Sequence, residues 1–146
     1  MTNLLLKISA ILWVIWGLVH AFAGVMTMSM IGDPAAAIAG ITDAVDPDLL
    51  KMNYHAAVGG VLGQHGFNLL WFGIVTIIGA VFVWRKNTIA IFLVALVAGL
   101  ADIGYFLFID LGGLAHFVPG TVMTLICLTA VLTSFYAYFS DLRHSK

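Results

Sequence analysis

Two histidines and one aspartate stand out in this chain because each lies deep in an apolar run: His20 in residues 4–28, His65 in 57–84 and Asp102 in 88–109. Two imidazoles and a carboxylate form the donor set of non-haem iron sites and of some zinc sites, so His20, His65 and Asp102 are candidate ligands of a transition metal. Two histidines on neighbouring helices can also be the axial ligands of a haem, here lying between the first two spans beside Trp16 and Phe72. Without a metal, a histidine–aspartate pair can act as catalytic acid and base on a quinone or another lipophilic molecule, as in a membrane oxidoreductase or isomerase.

Depth groups these three residues. His20 precedes the end of its run by about eight residues, His65 follows the start of its run by the same number, and Asp102 precedes Asp110 by eight. In helices rising 1.5 Å per residue, that spacing sets all three roughly 12 Å below one surface. Other polar and aromatic groups gather near them. His20 shares a helical face with Ser9, Trp13, Trp16, Gly17, Gly24 and Thr27; Asn68 lies one turn from Gln64 and His65, and Tyr105 one turn from Asp102. His55, Asp110 and His116 lie nearer the surface, as an entrance would. The expectation is a polar pocket built from His20, His65, Asp102, Trp16, Gln64, Asn68 and Tyr105, with His55 and His116 at its mouth. The competing role for such residues is interhelical hydrogen bonding, worth about 0.6 kcal/mol per contact. Asp102 argues for more, because an aspartate at a helix centre costs about 2.5–3.5 kcal/mol to insert and an amide would make the same contact more cheaply.

The elements that position these groups are legible in the composition. Of 146 residues, 62% are hydrophobic and 9% charged, against roughly 25% charged in an ordinary soluble domain. Lipid must therefore cover much of the surface. The length suits one domain of four spans of roughly 20 residues each, at about 4–28, 57–84, 88–109 and 119–139. The first run is too long for the apolar core of a signal peptide and reads as a retained span. Between the first two spans, Gly32-Asp33-Pro34 breaks the pattern. Residues 35–52 then set Ile38, Ile41, Val45, Leu49 and Met52 at helical spacing among Asp43, Asp46, Asp48 and Lys51, an amphipathic segment lying in the interface. Arg85-Lys86-Asn87 makes the next turn, with Asn87 as N-cap of the third span. Pro119 opens the fourth span, which leaves 114–118 as an apolar loop folded over the mouth of the bundle. The fold class is an all-α integral membrane protein, a four-helix bundle.

Basic residues set the orientation. Lys7, Arg85, Lys86, Arg143 and Lys146 share one side and Lys51 alone lies on the other. The positive-inside rule places both termini in the cytoplasm and the pocket outward, in a bacterial plasma (inner) membrane. Gly59 and Gly63 have the spacing of a helix-association face, suited to a homo-oligomer or a partner membrane protein. The net charge of −1 offers nucleic acid no basic footprint.

Missing residues exclude several activities. With one cysteine, Cys127, there is no internal disulfide, Cys-x-x-Cys pair or thiolate cage; amid Leu125, Ile126 and Leu128 it reads as a small buried apolar residue. The chain has no glutamate, which rules against glutathione-handling membrane enzymes and small multidrug exporters, and no mid-membrane lysine for a retinal Schiff base. The general plan resembles small bacterial four-span families such as the DoxX-like proteins, and no motif carries their functional residues to this chain. Three readings follow. The favoured one is a ligand- or cofactor-binding protein with an outward pocket; the others are a non-catalytic membrane subunit and a proton-coupled transporter. A transporter would have to move protons through a terminal half whose polarity comes only from Ser9, Thr76, Thr129, Thr133 and Ser134.

Overall fold

The computed structural model describes residues 2–40, 42, 47–50 and 52–144. Four helices are long and apolar enough to cross a membrane. They are α1 (Thr2–Ser29), α3 (Ala56–Trp84), α4 (Thr88–Tyr105), which a π-helical turn extends through Asp110, and α5 (Val122–His144). A short α2 (Pro34–Ala39) follows α1. The spanning helices form a ring in which α1 packs on α3 and α5, and α4 closes the gap between those two. Both termini and the 85–87 turn lie at one end of the bundle, the terminal end; α2 and the α4–α5 connection lie at the other, the loop end.

Glycines spaced by sevens set the closest approach. Gly17 faces Gly73, Gly24 faces Gly66 and Ile31 faces Gly59, each contact seven residues on along α1 and seven back along α3. A Cβ on Gly17 would fall 2.7 Å from the Gly73 carbonyl oxygen, and one on Gly66 would fall 2.8 Å from that of Gly24. In lipid, where apolar side chains gain little by leaving the solvent, such backbone proximity is a principal source of helix association. Gly59 is buried against Ile31, and Gly63 also touches the Ile31 side chain. Of the association face expected of Gly59 and Gly63, Gly59 packs against Ile31, just past the end of α1, and Gly63 is half-buried.

The packed core lies toward the terminal end. Trp13, Trp16, Val83, Ala98 and Ala130 are fully buried there, and Trp13 meets Trp16 edge to face, centroids 6.4 Å apart. The Ser9 and Ser134 hydroxyls and the Ala130 carbonyl form one cluster, each hydroxyl oxygen within reach of the carbonyl (3.0 and 2.7 Å) and of the other hydroxyl, and the two O–H hydrogens they share tie α1 to α5. Phe92 of α4 packs on Phe135 and Tyr138 of α5. The turn follows its sequence: Asn87 accepts the Ala90 N–H at 3.0 Å, and Lys86 adopts φ +63°, the left-handed conformation that ends α3.

At the loop end the interfacial segment is two short pieces rather than one helix. Asp33 caps α2 through the Ala36 N–H, Gly40 ends it, and a 3-10 turn covers Pro47–Leu50. Ile41, Asp43, Val45, Asp46 and Lys51 fall outside the described residues. The α4–α5 connection folds over this end: Ala115 bridges Thr42, and His116 Nε2–H donates to the Ala39 carbonyl at 3.1 Å. A helical turn begins at Phe117, earlier than Pro119, but Val118 is extended (φ −120°, ψ 123°), as proline imposes on the residue before it, and regular helix starts at Val122.

The glycine seam makes paired substitutions discriminating. Gly66→Ala forces a methyl onto Gly24 and Met28 and should destabilise the bundle by roughly 1–3 kcal/mol. Gly60→Ala meets nothing within 4 Å, and should stabilise it by roughly 0.5–1 kcal/mol through helix propensity alone. Reversible unfolding in mixed micelles measures both; equal responses would contradict the seam.

Candidate functional site

Asp102 is 5% exposed, on the core side of α4, and reaches across the bundle to α1. Its Oδ1 accepts the indole N–H of Trp16 at 3.0 Å. The thiol of Cys127, on α5, stands beside the same carboxyl group. One buried side chain thereby joins α4 to α1, with α5 beside them. Trp16 is clamped in turn and becomes a platform on which the His20 ring stacks, centroids 3.6 Å apart and planes 19° apart.

The backbone fixes the tautomer of His20. Its Nδ1 lies 2.8 Å from the Trp16 carbonyl oxygen. A carbonyl only accepts, so Nδ1 carries the hydrogen and the neutral ring presents Nε2 as a lone pair. Among the described residues Nε2 has no hydrogen-bond partner. His20 also continues the inward stripe of α1. Ser9, Trp13 and Trp16 below it and Thr27 above it are all buried, yet His20 is only half-buried.

This geometry regroups the residues singled out by sequence. Trp16, His20 and Asp102 come together; His65 does not join them. The α1–α3 register places His65 level with Val25, five residues or ~7.5 Å beyond His20, and its side chain is exposed, as is that of Gln64. The expectation of a common depth fails because α3 begins further out than α1 ends. Asn68 accepts the Trp71 indole N–H at 3.1 Å on the exposed side of α3. His55 is exposed and caps α3, its Nδ1 accepting the Ala57 N–H at 3.2 Å. His116 is engaged by α2, as above. Asp110 holds the start of α5, accepting from Thr121 and Thr124, each at 2.7 Å. Tyr105 packs its hydroxyl against Gly120.

The geometry bears on three expected chemistries. Among the described residues no three His, Cys, Asp or Glu side chains converge to hold a metal ion, and His65 stands apart from His20 and Asp102. A haem between the first two spans has no room, because the backbones of α1 and α3 touch at Gly17–Gly73 and Gly24–Gly66. Asp102 is no histidine's charge partner; the Trp16 indole stands between it and His20. Cys127 is 3% exposed in the core, the small buried residue that its apolar neighbours imply, and it stands beside Asp102. A cleft of about 800 Å³ opens at the loop end between Ile31, Asp33, Tyr54, His55 and Gly59, and none of Trp16, His20 or Asp102 lines it.

No known protein family, curated protein or solved structure matches the chain.

The coupling of Trp16 to Asp102 is open to a double-mutant cycle. Trp16→Phe keeps the ring and removes the indole donor, and should cost about 2 kcal/mol when the acceptor is a carboxylate. In an Asp102→Leu background the same change should cost clearly less, since no acceptor remains to be orphaned. Equal costs in unfolding measurements would show that the bond contributes nothing.

Proposed function

We propose that this chain binds a hydroxyl-bearing lipophile in the loop-end half of the bundle, with Nε2 of His20 as its polar contact. The observation that carries this reading is the half-covered His20, an inward-facing imidazole whose tautomer is fixed and whose lone pair has no protein partner among the described residues. Packing supports it. From Ile103 to Asp110 no residue of the third span is buried, and from Ala56 to Leu70 only Gly59 and Gly66 of α3 are, whereas the terminal half is closed by two tryptophans. A membrane-soluble molecule such as a quinol or phenol can donate its O–H to Nε2 while its apolar body lies among partly covered side chains. Should the molecule react, Nε2 is placed to take that proton as a general base, and the Trp16 carbonyl holds the ring in orientation.

The basic asymmetry of the termini and the 85–87 turn supports cytoplasmic termini in a bacterial plasma membrane, with the loop end and the pocket facing outward.

Binding of a quinol analogue tests the reading. Decylubiquinol titrated into the purified protein in nanodiscs should bind the His20→Ala variant about tenfold more weakly than the native chain. His65→Ala, on the exposed face, should leave affinity unchanged. Equal affinity for the native and His20→Ala proteins would overturn the assignment.

A further inference from the structure

A second groove lies at the opposite end of the molecule. It has a volume of about 460 Å³ and runs along the outside of the α1–α3 pair. Its floor is Ala10 and Ala80, both almost fully buried, and Ile11, Val14, Ile15 and Val81 form its apolar walls. The seam explains the trough: helices held together by glycines meet along small residues, and larger side chains flank the line of contact. It ends at Trp84 and Arg85, where the helices leave the apolar layer.

Basic side chains predominate at that end, where Lys7, Arg85, Lys86 and Arg143 face one acid among the described residues, Asp141 of α5. Lys7 lies over the Trp84 ring, its Nζ 5.2 Å from the centroid, so a second cation borders the mouth beside Arg85. Neither α1 nor α3 contains an acidic residue, nor does the 85–87 turn, which adds Lys86. Among the described residues neither Lys7 nor Arg85 has a carboxylate partner. From Lys7 to Ile15 the helix rises ~12 Å, enough for the upper part of an acyl chain below its headgroup.

We propose that this groove is a binding site for an anionic phospholipid, one acyl chain lying against Ala10, Val14 and Ala80 and the phosphate between Lys7 and Arg85. The occupant follows from complementarity: an apolar trough selects a chain, and two unpaired cations at the interface, with no acid on either helix, select a net negative headgroup. Trp84 belongs at that depth, where an indole has one side in the apolar layer and the other at the headgroups. The site is independent of the His20 pocket, at the other end of the bundle.

Native mass spectrometry of the full chain, released from micelles containing equal phosphatidylglycerol and phosphatidylcholine, provides the test. One phosphatidylglycerol should remain bound in preference to phosphatidylcholine. Lys7→Gln and Arg85→Gln, both at the surface, should each reduce that preference about fivefold. Val81→Phe, which fills the trough, should reduce retention of both lipids while the far-ultraviolet helix signal stays unchanged. Equal retention of the two lipids by the native chain would overturn the proposal, as would a preference unmoved by Arg85→Gln.

Discussion

A carboxylate buried in an apolar bundle must find a donor, and Asp102 finds the indole N–H of Trp16 on another helix. Trp16 of α1 donates to it and Cys127 of α5 stands beside it, so one side chain of α4 ties its helix to α1 next to α5. Leaving such a group unpaired in hydrocarbon costs several kcal/mol, which makes this arrangement far more favourable than its near alternatives. The consequences run outward from the indole. Trp16, fully buried, presses on Trp13 and closes the terminal half, and its other face carries His20. The histidine is therefore positioned by the aspartate without touching it.

Each remaining helix pair is joined by different means. Backbone proximity at glycines holds α1 to α3, and serine hydroxyls converging on the Ala130 carbonyl hold α1 to α5. Asp110, bonded to Thr121 and Thr124, ties the end of the third span to the start of the fourth. These polar and small-residue devices suit a setting where burial of apolar surface does not drive helices together. They are distributed unevenly. The tight contacts of tryptophan, alanine and aromatic side chains lie at the terminal end, and the half beyond Trp16 is left with partly covered residues around His20. That asymmetry is the feature on which the proposed binding rests.

Much of this was readable from the chain alone. The four spans follow from hydropathy, the 85–87 turn and its Asn87 cap from residue type, and the inward position of Asp102 from the cost of exposing it to lipid. The grouping of His20 with His65 was not, because it measured depth from helix ends and assumed those ends to be level. The register between α1 and α3 is set by glycines at Gly17, Gly24, Gly66 and Gly73, and their pairing depends on three-dimensional contact; once known, it separates the two histidines by more than a turn. The partner of Asp102 was hidden for a similar reason. Histidine is the expected companion of a buried acid, and an indole N–H serves as well when packing brings it to the same level.

The tautomer of His20 is where these contacts meet the proposed chemistry, and ¹⁵N NMR of selectively labelled protein in nanodiscs reads it directly. The expected spectrum has a protonated Nδ1 and a bare Nε2 for His20, and the Nε2 signal moves when a quinol analogue is added. A His20 ring protonated at Nε2 with a bare Nδ1 would contradict both the contact to the Trp16 carbonyl and the lone pair assigned to the ligand.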